Sequence, residues 1–300
     1  PVYVDSLEIE TGELILGPRT DHFESVSLIG SYQTFLINID EFSASHSYGT
    51  VDFNGQISLA EDYPMDFEFD FDLDHVDELP GLEKQQLEVT VRQGFNQLLS
   101  EVEGQGQFSF TLSSSIALAN PKLPYSLLLN ADKLQWPLIE PEFIATDLAV
   151  NTSGNLDLQH VDLQSNFKSS FQPLLKLDAQ FNHQGHALAF EQLDIASKMG
   201  NLTLTGDLSY GDDLVWNTDM NIEQLDLSQL RLQMETPLPA TAITGRLASH
   251  GQVSLTDKLW SVSVFDADVT GDIEQYPLAL NGDLSLDQNW NLSSKGLNLI

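Results

Sequence analysis

From Met65 to Asp74 the chain alternates apolar and acidic residues without a break: Met-Asp-Phe-Glu-Phe-Asp-Phe-Asp-Leu-Asp. An extended strand turns successive side chains to opposite faces. Met65, Phe67, Phe69, Phe71 and Leu73 therefore share one side, with five carboxylates on the other. On a helix the same residues would scatter around the axis. The same period runs through Gly106 to Leu112, with Phe108, Phe110 and Leu112 on one side, and through Leu202 to Tyr210, with Leu202, Leu204 and Leu208. It returns at Val253–Leu255, at Trp260–Val264 with Val262 and Val264, and at Asp283–Leu286 with Leu284 and Leu286. The strand residues just named are the candidates for a functional apolar face.

Turn clusters separate these runs, among them Ser153-Gly154-Asn155, His183-Gln184-Gly185-His186, Met199-Gly200-Asn201 and Tyr210-Gly211-Asp212-Asp213. Strands joined by such short turns should pair antiparallel. Helical signal is scarce. Leu82–Val91 could be read as a helix, but its part Leu87–Val91 alternates and is β-branched, so it reads as strand, and Leu225–Leu230 supports one helical turn at most. Prolines at Leu79-Pro80-Gly81, Ala119-Asn120-Pro121, Trp136-Pro137 and Thr236-Pro237-Leu238-Pro239 mark strand ends. None has the composition of an interdomain linker, so residues 1–300 read as one continuous β segment. The first residue is Pro1 and the last is Ile300, inside an alternating run, and both ends read as parts of something longer. No stretch reaches the ~20 apolar residues of a membrane-spanning helix, so any anchor is expected elsewhere.

About 20 strands of 7–10 residues, each with one apolar face, must hide that face without helices. A two-sheet sandwich, a membrane β-barrel with its apolar side outward, or a long sheet folded over a greasy groove would each do so. Four Trp and seven Tyr are few for two aromatic girdles. A loose repeat favours the extended array. It reads Gly55-Gln-Ile-Ser-Leu59, Gly206-Asp-Leu-Ser-Tyr210, Gly251-Gln-Val-Ser-Leu255 and Gly282-Asp-Leu-Ser-Leu286. Each unit is followed at a similar offset by Tyr63, Trp216, Trp260 or Trp290. The expected fold class is all-β: an elongated, curved, antiparallel-rich sheet folded into a hydrophobic groove.

Charge narrows the function. Against 45 Asp and Glu stand 12 Lys and Arg, a net charge of -33. Nucleic-acid binding needs clustered cations and is excluded, as is docking on anionic headgroups. With no cysteine, thiolate chemistry is excluded too. Of seven histidines only His183 and His186 are close in sequence, and they read as exposed turn residues rather than a metal pair. The acids of Asp66–Asp74 lie ~7 Å apart along an extended face and read as a solvated surface, not a calcium site. No catalytic motif occurs. The chain reads as non-enzymatic, with no cofactor and no metal.

The Gly-polar-Leu-Ser-Leu units with their following Trp, Leu134-Gln-Trp-Pro-Leu138, and Gly200–Tyr210 together resemble the TamB family of the AsmA-like superfamily, most clearly over residues 130–300. The resemblance implies a periplasmic segment of a larger protein anchored in the inner membrane of a Gram-negative bacterium. It implies a β-taco with a hydrophobic interior, and a role in outer-membrane biogenesis, protein secretion and phospholipid transport. By the same resemblance, phospholipid acyl chains and a TamA-like outer-membrane barrel are the partners. The family's signal anchor and C-terminal region find no match here, so the resemblance assigns no residues to the membrane and barrel contacts. The competing expectation is an interaction scaffold that pairs strand edges with outer-membrane protein segments.

Overall fold

The computed structural model describes residues 1–16, 19–75, 81–169, 174–229, 238–254, 256 and 259–299. Leu79, Pro80, Leu230, Thr236, Pro237, Leu255 and Ile300, named above, lie outside them. Among the described residues the chain forms 20 strands and one short helical turn, divided between two compact units.

The first unit comprises residues 1–141 and 153–156. Its strands are β1 (Val2–Ile9), β2 (Gly12–Leu16), β3 (Arg19–Gln33), β4 (Leu36–His46), β5 (Gly49–Ser58), β6 (Met65–His75), β7 (Glu83–Gly94), β8 (Gln97–Gln105), β9 (Ser109–Ile116) and β10 (Tyr125–Trp136). β3 is long enough to pair with β2 along its first part and β1 along its second. From β3 onward each strand pairs antiparallel with the next, as the short turns imply. Successive turns on one rim are tied together: Leu59 N–H donates to Phe35 O at 2.6 Å, Phe95 N–H to Asp62 O at 2.9 Å, and Ala119 N–H to Phe95 O at 2.9 Å.

The second unit comprises residues 142–152 and 157–300. It holds β11 (Phe143–Gly154), β12 (Gln159–Ser169), β13 (Leu175–Gln184), β14 (Ala187–Ser197), β15 (Gly200–Ser209) and β16 (Asp213–Leu225). A 3-10 turn at Leu227–Gln229 follows, then β17 (Thr241–Ser254), β18 (Trp260–Ile273), β19 (Tyr276–Asp287) and β20 (Leu292–Leu299). From β12 to β20 every ladder is again antiparallel and joins sequence neighbours. Most ladders carry a β-bulge, for example between Phe190 and Leu193 and between Val264 and Ala267. Bulges bend the strand and increase its twist.

The expected elements hold. All of Leu82–Val91 but Leu82 itself falls in β7, the helical signal near Leu225 is a single turn, and Trp136-Pro137 ends β10. The core is unusual. Within each unit, a few isolated contacts aside, the described strands touch only their ladder neighbours, so among the described residues no second layer packs on either face. Among the described residues no side chain is fully buried, and the buried apolar residues are mostly alanines: Ala44, Ala131, Ala179, Ala248 and Ala267. The accessible surface, 18931 Å², exceeds the ~15,000 Å² that two separate globules of half this mass would expose. No helix among the described residues is long and apolar enough to cross a membrane.

Candidate functional site: the apolar sheet faces

In β6 the alternation is realised residue by residue: Met65, Phe67, Phe69, Phe71 and Leu73 are half-buried and the intervening acids are exposed. Residues opposite one another on adjacent strands point to the same face, so the ladders extend this apolar side into rows. One row runs Phe42, Phe53, Phe69, Val89, Val102, Leu112, Leu129 from β4 to β10. A neighbouring row runs Val51, Phe71, Leu87, Gly104, Phe110, Ala131. The rings interlock across strands, with centroids of Phe42 and Phe53 at 4.4 Å and of Phe53 and Phe69 at 5.1 Å. Aromatic pairs at such spacing add about 0.5–1.5 kcal/mol beyond area burial.

The second unit repeats the arrangement with smaller side chains. Leu208, Val262 and Leu286 fall on one row, joined through Trp216 and Gly251. Leu204 stands opposite Met220, which stands opposite Leu247; Leu202 stands opposite Ile222; and Val264 faces Leu284. All of these candidate residues are half-buried. Phe108 differs, since it stands in the turn before β9, where its N–H donates to Gln85 Oε1 and its carbonyl accepts from Gln85 Nε2, both at 2.9 Å.

The sequence reading missed part of this surface. Phe42, Phe53, Phe181 and Phe190 belong to it, the last two with centroids 5.5 Å apart. So does Trp216, whose place in the repeat spacing was the available signal. Polar residues also enter the apolar rows, each satisfied by a neighbour. Ser100 and Ser114 share a hydrogen bond of 2.7 Å across β8 and β9. Trp216 Nε1–H donates to Ser249 Oγ at 3.1 Å.

The opposite face is acidic. Asp52, Asp70, Glu88 and Glu103 stand directly opposite one another across β5 to β8, and Arg92 offsets part of that charge through Asp66 at 3.3 Å and Glu68 at 3.7 Å. His186 is an exposed residue of the β13–β14 turn as expected, but His183 lies in β13 and is half-buried, its Nδ1 meeting Gln159 Oε1 at 3.0 Å and its Nε2 the Tyr210 hydroxyl at 2.8 Å. The edge of His186 contacts the Tyr210 ring. Among the described residues no three His, Asp or Glu side chains converge as a metal would require. Two carboxyls are held below the usual aspartate range by hydrogen bonds. Asp226 accepts from the Ser228 hydroxyl and from Thr241 N–H, and Asp287 accepts from the Asn291 side chain and N–H.

A polar, acidic face backed by an apolar one that no second layer covers among the described residues, on ladders of sequential antiparallel strands, defines a class of β proteins that offer a hydrophobic surface. The chain matches the family described as TamB, N-terminal domain, over residues 1–300, and belongs to that family. It is 21% identical over 281 residues to the translocation and assembly module subunit TamB of Haemophilus influenzae, covering 91% of this chain. The chain spans 21% of that relative's length. No solved structure matches it.

Proposed function

We propose that residues 1–300 supply groove segments, one in each unit, that shield phospholipid acyl chains between the inner and outer membranes and so support outer-membrane biogenesis. The observation that carries this reading is an apolar face that runs from strand to strand within each unit, with large side chains half-buried and, among the described residues, no second layer over them. A diacyl phospholipid exposes on the order of 30 methylenes, so leaving the bilayer for water costs roughly 25 kcal/mol at ~0.8 kcal/mol each. Apolar side chains along the whole path remove most of that cost. From Met65 to Leu73 the apolar row is about 26 Å long, against the ~15 Å that the chains of one leaflet span. Few cations are needed, because tails rather than phosphates are held. The carboxylates of the other face keep the greasy surface soluble.

The name of the Haemophilus influenzae relative, a translocation and assembly module subunit, supports a part in assembly, for which we propose a TamA-like barrel as the partner. The periplasm is then the compartment and the anchor lies outside these residues. One observation favours a second reading: β1 is exposed along its whole length and is available to an incoming strand. Lipid extraction and native mass spectrometry of the purified full-length protein separate the two. Copurifying phospholipid supports the groove. Lipid-free protein that still captures unfolded outer-membrane segments supports the strand edge.

A further inference from the structure

Two glycines on the apolar rows lack a side chain for a reason that their own backbones do not supply. Gly104 in β8 and Gly251 in β17 are buried, and neither has the positive φ that favours glycine. At Gly206 and Gly245, by contrast, φ is positive and the atom nearest a hypothetical Cβ is a backbone carbonyl oxygen. A Cβ on Gly251 would stand 2.0 Å from Cζ2 of Trp216 and 2.5 Å from Cε2 and Cη2. On Gly104 it would stand 2.2 Å from Cε1 and 2.5 Å from Cδ1 of Phe110. All three nearest atoms belong to the ring in each case. Each ring comes from the residue directly opposite in the ladder, so each lies across its partner strand in the space a side chain would fill. Trp216 is pinned in that posture by its 3.1 Å bond to Ser249, which is 5% exposed. Side chains on a strand otherwise stand roughly perpendicular to the sheet. A standing indole or phenyl ring would project its length across the apolar surface.

We propose that Trp216 and Phe110 are contact surfaces for passing acyl chains, and that Gly251 and Gly104 are positioning residues that keep both rings lying down so that the path stays open. This rests on the acyl-chain reading above and adds which residues set the clearance. Once the ring is displaced by a methyl group, it stands in the way of a straight hydrocarbon chain.

The test uses full-length protein carrying Gly251→Ala or Gly104→Ala, with phospholipid extracted and counted per protein chain. Both variants keep their strand content and lose bound phospholipid several-fold. Combining Gly251→Ala with Trp216→Leu, or Gly104→Ala with Phe110→Leu, restores it, because the obstructing ring is gone. An alanine variant that folds and loads normally overturns the proposal, as does a double variant that stays empty. If neither alanine variant folds, the glycines serve the fold alone and the proposal falls. Wild-type protein without any phospholipid is a separate outcome, because it defeats the acyl-chain reading before a variant is made.

Discussion

Phe69 faces Phe53 across the β5–β6 ladder, their ring centroids 5.1 Å apart, yet both rings remain partly open to solvent. A core packed between two sheets would seal them. Phe69→Asp therefore costs about 1–2 kcal/mol from lost ring contacts and cross-strand packing. A sealed core would lose several kcal/mol by burying an unpaired charge. Urea denaturation reads the difference. The same variant, folded, is expected to lose bound phospholipid, because its carboxylate lies across the apolar path. A folded variant with normal lipid content defeats the groove reading.

On the reverse face, the file of Asp52, Asp70, Glu88 and Glu103 sets like charges directly opposite, an arrangement that destabilises a ladder. Asp70→Asn removes an inner member of that file. It should leave the fold intact and raise stability by about 0.2–1 kcal/mol at low ionic strength. The gain should shrink as salt screens the neighbours. Melting curves at two salt concentrations check it.

Gln85 is 3% exposed and bonds both backbone groups of Phe108, bracing the β8–β9 turn from β7. Gln85→Ala leaves these groups without their partner and should cost about 2 kcal/mol. Gln85→Glu should cost more, since it removes the donor to the Phe108 carbonyl and places a charge in a buried position. The midpoints of denaturant unfolding rank the three proteins.

Asp226 links the 3-10 turn to the start of β17, accepting from Ser228 N–H at 3.0 Å, Ser228 Oγ at 2.8 Å and Thr241 N–H at 3.1 Å. These bonds hold its carboxyl below the ordinary aspartate range. The linkage sign follows: the turn keeps its full bracing at neutral pH and loses it only as acid protonates the folded carboxylate, below the ordinary range. Hydrogen-exchange protection of the Ser228 and Thr241 amides should fall over that acid window. In Asp226→Asn protection should be lower at neutral pH and flat across the same window.

Much of this fold is legible because period two is a local property. Each residue of β6 announces its face without knowledge of its neighbours. What the sequence hides is pairing detail. The β3–β4 turn is Thr34-Phe35 and the β18–β19 turn is Glu274-Gln275, all four with positive φ. Gly, Asn or Asp would ordinarily mark such turns. Bulges are equally silent, since an extra residue in one strand has meaning only against its partner. The repeat glycines were visible as a pattern, but the ring that lies over Gly251 comes from another strand. Phe108 shows the limit from the other side. It alternates with Phe110 in the sequence, yet it stands in the turn before β9, with both of its backbone groups bonded to the Gln85 side chain.

Because every ladder in a unit joins strands that are close in sequence, no distant segment has to be found before a strand can settle. Such low contact order favours rapid folding. From β3 onward, each new hairpin can add to the edge left by the one before, and rim bonds such as Leu59 N–H to Phe35 O and Phe95 N–H to Asp62 O lock each addition in place. Assembly can thus proceed vectorially, strand by strand, while later parts of the polypeptide are still being made.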